Sequence, residues 1–244
     1  MARAFHAADH VFFQSEYCRR AAHKHLGERE GAAEVLYNAV DTARFTPDES
    51  HRADGPVRFL VTGRFGHHHR YRLQVAVAGL RAARDAGLDA RLTIAGQFDS
   101  QTLFEIRQQI IELDLQKLVK ISGPFLQSEA PDVYRAADVF LLTTHQDACP
   151  NAVLEAMACG LPVLYSANGG VPELVGTETG VELECPEDWE TSRPPTAEAM
   201  GEGMLKIAEK HGAMGTLARA RAVERFDIQP WIQRHREVFE QLLK

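Results

Sequence analysis

From residue 57 onward, short apolar runs alternate with stretches whose apolar positions recur at helical spacing. The runs at 57–62 (VRFLVT), 90–95, 119–122, 139–144 (VFLLTT) and 161–166 are rich in β-branched and aromatic residues and read as strands. Between them, 71–86 carries Leu73, Val77 and Leu80 on one face and reads as a helix, as do 100–115 and 128–137. Beyond Pro186 a polar loop leads to expected helices near 196–210, 214–226 and 230–243. Strands alternating with helices need right-handed crossovers. The pattern therefore predicts an α/β fold: a Rossmann-like, doubly wound, mostly parallel sheet with C-terminal helices.

The segment ahead of residue 57 follows similar grammar. Residues 3–15 read as a helix end, Ala-Ala-Asp, then the strand VFFQS, and RAADVFLLTT repeats this order at 135–144. A helix is expected over Glu16–Leu26, a brief turn or strand at 35–38 and an irregular link at 41–47. Residues 49–56 are polar with Gly and Pro, the composition of a domain boundary. The expected division is 1–54, 55–226 and 227–244, with Trp231 and the stripe from Phe226 to Phe239 in the core.

Composition narrows the function classes. A content of 45% hydrophobic and 25% charged residues over 244 residues is that of a soluble globular protein with ample core. A formal net charge of −7 argues against a general nucleic-acid binder, which wants a basic face. The four cysteines, Cys18, Cys149, Cys159 and Cys185, have no C-x-x-C spacing and fit a reducing cytosol. No run is long enough to span a bilayer; peripheral attachment to a membrane stays open.

The chemistry concentrates in 145–176, HQDACPNAVLEAMACGLPVLYSANGGVPELVG. After the strand at 139–144, a polar loop reaches Pro150, which suits a first helical turn, and Gly160 with Pro162 closes the helix NAVLEAMAC. Glu155 lies about a turn into that helix, so its side chain leans back toward the loop mouth. Asp147 sits in the loop itself. Between them the N–H groups of the first turn form an anion-accepting surface. Phosphate on those N–H groups, a diol on one carboxylate and a sugar hydroxyl on the other would satisfy all three, which suits a nucleotide-sugar.

This stretch resembles the donor-binding signature of retaining GT-B glycosyltransferases, commonly written E-G-F-P-N-V-x-L-E-A-M-A-x-G-x-P-V followed by G-G-x-x-E. Here the text is D-A-C-P-N-A-V-L-E-A-M-A-C-G-L-P-V, followed by Gly169, Gly170 and Glu173. The resemblance implies that Glu155 binds the donor ribose. It also implies that Asp147, one methylene shorter than the family's Glu, faces the transferred sugar, with Ala148, Cys149, Pro150, Asn151 and Ala152 beside the phosphate. Gly63 and Arg64 match the family's G-R, whose Arg grips the diphosphate; the family's following Lys is replaced by His69, with Arg70 next to it. Either could supply that charge, His69 only when protonated. Gly96 and the strand end carrying Phe125 and Leu126 fall where the family holds the base, though either apolar side chain could equally be core.

The pattern L-Y-N-A-V-D-T-A-R-F-T-P resembles the family's link into the donor domain. Almost all of the acceptor-side domain is then expected before Met1. The C-terminal helix, PWIQRHREVFEQLL, is expected to brace only the first segment.

Other readings are weaker. His67, His68 and His69 have no Cys or carboxylate at ligand spacing, so a solvated or phosphate-facing loop is expected rather than a metal site. Glu173 reads as a helix-start acid as readily as a ligand, and Gly169 and Gly170 suit close approach of backbone to phosphate. The G-x-G-x-x-G of NAD enzymes is absent, since GRFGHH has the wrong order, and Walker A and G-x-S-x-G are absent too. The expected activity is retaining, metal-independent sugar transfer with no cofactor beyond the nucleotide-sugar co-substrate, to a carbohydrate or lipid-linked acceptor. The alternative is a silent donor-binding subunit that needs a partner chain. A GT-B-shaped epimerase lacks positive support. A lone donor half would leave an apolar cleft wall open, so association with itself or a partner chain is expected.

Overall fold

The computed structural model describes residues 1–48, 55–191 and 193–244. Most of the boundary expected at 49–56 therefore lies outside the described residues. The chain opens with α1 (Ala2–Ala7), β1 (His10–Phe13), α2 (Glu16–Leu26) and β2 (Ala32–Val35). Then come β3 (Val57–Phe65), α3 (Arg70–Asp85), β4 (Ala90–Phe98), α4 (Ser100–Glu112), β5 (Val119–Ser122), α5 (Ala130–Arg135) and β6 (Val139–Leu142). They are followed by α6 (Asn151–Ala158), β7 (Val163–Ser166), α7 (Val171–Val175), β8 (Gly180–Leu183), α8 (Ala197–Ala208), α9 (His211–Phe226) and α10 (Ile228–Leu242).

Strands β3 to β8 form one six-stranded sheet in the order β5-β4-β3-β6-β7-β8, every pairing parallel. The order reverses between β3 and β6. That is the topological switch point, and the crevice outside the carboxyl ends of these two strands is where such sheets hold ligands. Strand residues alternate between two cores. Phe59, Val61, Val139, Leu141 and Leu164 pack under α3 and α8; Leu60, Phe140, Leu142 and Tyr165 pack under α6 and α9. All four residues of β6 are buried, as a central parallel strand covered on both faces requires.

Helix starts are fixed by local side chains. Ser15 accepts from the Cys18 N–H at 3.0 Å, Asp99 from Thr102 at 2.6 Å and Asp227 from Gln229 at 2.9 Å. A separate two-stranded parallel sheet, β1 with β2, forms the first segment. Helix α10 reaches it: Arg234 pairs with Glu34 at 2.9 Å, and the His235 ring lies 4.4 Å from Phe12.

Several expectations shift. The strand expected at 35–38 forms earlier, as β2, because pairing with β1 outweighs the weak strand preference of Ala-Ala-Glu. Strand β8 has no sequence signal of its own beyond four residues beside a Gly, and pairing with β7 defines it. The C-terminal stripe is core only in part: Phe226 and Val238 are buried, Phe239 is 57% exposed, and Trp231 is half-buried against His235.

Candidate functional site

Three segments meet at the carboxyl ends of β3 and β6. The first carries Gly63 and Arg64 at the end of β3, the second runs from Thr143 through Asp147 to Pro150, and the third is the turn at Gly169 and Gly170. Gly169 has φ +69°, a conformation open to Gly, and a methyl group on Gly170 would collide with the Ala148 carbonyl oxygen. The turn therefore lies directly against the Asp147 loop, and the Gly170 N–H donates to the Asp147 carbonyl at 2.9 Å. Asn168, buried, ties the same loops: its Oδ1 accepts from the Gln146 N–H at 2.8 Å, where Gln146 adopts φ +57°. The flanking sequence offers no signal for Asn168 beyond its place before the paired glycines.

Helix α6 begins at Pro150 with no side-chain cap. Its first N–H groups face the crevice with the positive end of the helix dipole behind them. Not all are free. The Val153 N–H donates to the Pro150 carbonyl at 3.0 Å. Asn151 is exposed at the helix start, and its Oδ1 accepts from Asn38 Nδ2 at 2.9 Å; the same amide group donates to the Cys149 carbonyl. Cys149 is buried, which pushes its thiol up to about 12, so it is an inert part of the loop wall.

Glu155, half-buried, leans back to the mouth as the helix geometry requires. Its carboxylate accepts from the Tyr134 hydroxyl at 2.8 Å and from Gln127 Nε2 at 3.1 Å. Tyr134 is fully buried, with its phenol pushed well above the ordinary value by burial and then by the Glu155 charge, so it holds its proton and donates. Asp147 behaves differently. Burial pushes its carboxyl up, while the Cys149 amide and the Arg72 charge pull it partly back.

The cations of the β3 loop divide. Arg64 is exposed, with its Nε on Gln97 Oε1 at 3.2 Å. Arg70 forms an ion pair with Glu105 of α4. His69 is exposed in the short 3₁₀ turn His67–His69, and burial and the Arg72 charge hold its imidazole below the usual value, so it is neutral near pH 7. Arg72, which the loop pattern did not single out, is buried beside Gly63. Among the described residues no group of three or more His, Cys, Asp or Glu is gathered as a metal site.

The remaining sequence-marked residues sit at the rim. Gly96 pairs with Gly63 across β3 and β4, where a Cβ would strike the Gly63 carbonyl oxygen; its role is close strand approach. Phe125 is half-buried against the α6-side core, and Leu126 is 68% exposed. Glu173 does not face the crevice centre. It accepts from the Glu16 and Tyr17 N–H groups at 2.8 Å each and from the Tyr37 hydroxyl at 3.2 Å, capping α2 of the first segment. A groove of about 980 Å³ lies at the opposite, amino ends of β3 and β6, among Arg58, Asp138, Arg135, His211 and Arg219, away from all of these residues.

Comparisons with known proteins agree on this architecture. A family model described as Glycosyl transferases group 1 matches residues 56–216. A D-inositol 3-phosphate glycosyltransferase of Paenarthrobacter aurescens is 27% identical over 210 residues, covering 80% of this chain and 52% of that enzyme. The matched part spans between 26% and 52% of the length of the curated relatives. A glycosyltransferase structure from Rickettsia africae superposes with a TM-score of 0.82 at 16% identity, covering 100% of this chain and 67% of that one. Anabaena HepE in complex with UDP-glucose gives 0.75 at 22% identity, covering 98% and 65%.

Proposed function

The chain belongs to the glycosyl transferases group 1 family, and from that premise we propose that it holds a nucleoside-diphosphate sugar in the β3–β6 crevice for transfer to a carbohydrate or lipid-linked acceptor. The observation that carries this reading is the meeting, at the switch point of the sheet, of an uncapped helix start, a carboxylate one turn in and an exposed guanidinium at the end of β3. Glu155 takes the ribose hydroxyls, displacing Gln127 while Tyr134 keeps the carboxylate aimed. Arg64 and the N–H groups at Asn151 and Ala152 take the diphosphate, with the Gly169–Gly170 turn close by. Asp147 faces the sugar. The UDP-glucose bound to HepE supports a nucleotide-sugar for this chain as well.

In the transfer, the bond between the anomeric carbon and the diphosphate oxygen breaks and its electron pair leaves with the nucleoside diphosphate. The acceptor oxygen forms the new bond, and its proton passes to the leaving diphosphate, whose oxygen has gained the electron pair. Dipole and guanidinium neutralise the leaving group, a role that asks for no divalent ion. Retention at the anomeric carbon follows the resemblance of the 147–173 string. Residues 55–226 are the donor-binding part, 1–54 belong to the acceptor side, and 227–244 brace that segment.

A second reading, a silent donor-binding subunit, is favoured by Asp147, one methylene shorter than the family's Glu and penalised by burial in its loop. Proton NMR of the full chain with UDP-glucose, GDP-mannose and ADP-glucose separates the two. Sugar released with its anomeric configuration kept supports the enzyme. Binding with turnover only after a second protein is added supports the subunit. Binding to none of them sinks both.

A further inference from the structure

Arg72 sits in the first turn of α3 and is only 6% exposed. An arginine offers five donors in a fixed fork, and here few are used. Nη2 reaches the Thr62 carbonyl at a long 3.4 Å, and the buried Nε has no partner. The guanidinium lies over the Phe65 ring, 5.4 Å from its centroid, and Nη1 is 3.3 Å from where a side chain on Gly63 would begin. Glycine at 63 thus makes room for it at the end of β3, on the crevice side of the switch point. Burial pulls the group below its ordinary value, and the Asp147 carboxylate pulls it partly back. No carboxylate among the described residues lies within ion-pair distance of it: Arg70 takes Glu105, and Asp147 acts on Arg72 from farther off.

A charge kept out of water with its donors unspent is costly, and such groups persist where a ligand completes them. We infer that Arg72 is a diphosphate-binding residue of this site, a buried cation held ready beneath Gly63 whose open donors are met by a phosphate oxygen when the nucleotide arrives. This deepens the donor-site reading above and rests on it. Arg64 then meets the diphosphate from the solvent side and Arg72 from the protein side, while Arg70 keeps its structural pairing and neutral His69 adds no charge.

The test compares ligands with and without phosphate. Wild type, Arg72→Met and Arg72→Lys are titrated with UDP, GDP and ADP and with uridine, guanosine and adenosine, followed by ligand-observed NMR, after a melting curve on each variant. Arg72→Met removes an unpaired buried charge and is expected to fold. Its affinity for the diphosphate that wild type binds should fall by roughly tenfold or more, with nucleoside affinity held within about twofold. Arg72→Lys should recover part of the loss, and is read in the same way if the Met variant does not fold. Unchanged diphosphate affinity, or an equal loss for nucleoside and diphosphate, overturns the assignment while leaving the donor reading intact. Failure of wild type to bind any of the three diphosphates would instead sink the donor reading itself.

Discussion

Two acids only eight positions apart have opposite environments, and each gives a separable prediction. Glu155 is held by two neutral donors, Tyr134 and Gln127, and stays within reach of solvent. Glu155→Ala should weaken nucleotide binding by about 1–3 kcal/mol, the worth of charged hydrogen bonds, and calorimetry showing unchanged affinity would remove it from the ribose site. Asp147 is penalised by burial, so its folded value lies above its unfolded one. A carboxyl raised in this way contributes stability that is full below the ordinary aspartate range and is lost as pH rises through the folded value. Asp147→Asn should therefore melt above wild type at neutral pH, the gap closing on acidification below about pH 4, while any turnover drops. A gap that ignores pH would contradict the buried-charge account. The lean of Glu155 toward the loop mouth was legible from spacing alone, because a side chain one turn into a helix points back toward its start. Arg72 was not: an arginine in a first helical turn reads as exposed, and only the packing of α3 against the end of β3 turns it inward.

Among the elements, the central unit of β6, loop, α6 and β7 was readable because Pro150, Gly160 and the apolar run of VFLL each mark a boundary by their own chemistry. Strand β8 carries no such mark, and α7, though Pro172 stands in its first turn and Gly176 at its end, is only five residues long. They exist through neighbours, β8 through its ladder with β7 and α7 through the glycine turn that seats it against the Asp147 loop. That turn is the least forgiving joint of the site. Gly170→Ala drives a methyl group into the Ala148 carbonyl and toward Ser15 Oγ. Urea unfolding should show a loss on the order of 1–3 kcal/mol, together with weakened nucleotide binding; a variant as stable as wild type would show that the loops do not lock together. The C-terminal stripe shows the opposite limit of pattern reading. Helical spacing placed Phe239 with Phe226, but α10 packs on a small sheet and leaves Phe239 in water.

At the scale of the whole molecule, the first segment is fastened both to the part of the chain that carries the six-stranded sheet and to α10. Glu173 caps α2, the Tyr17 and Trp189 rings stack at 5.2 Å, and Arg234 of α10 pairs with Glu34. Glu173→Ala leaves two N–H groups of α2 without their acceptor and should cost about 1–2 kcal/mol. Hydrogen exchange would report it as faster exchange at Glu16 and Tyr17 with the sheet core unchanged, and unaltered exchange there would refute the clasp. The Glu173 clasp was hidden from the sequence because its partners lie 157 positions apart. The central claim, that the crevice at the switch point is the nucleotide site, is tested most directly by mapping amide shifts of the full chain during titration with UDP, GDP and ADP. The account predicts that one of them moves Gly63, Arg64, Asn151, Ala152, Glu155, Gly169 and Gly170 together. Shifts gathered instead around Arg58 and His211 in the groove at the far end of the strands, or no shifts with any of the three, would contradict it.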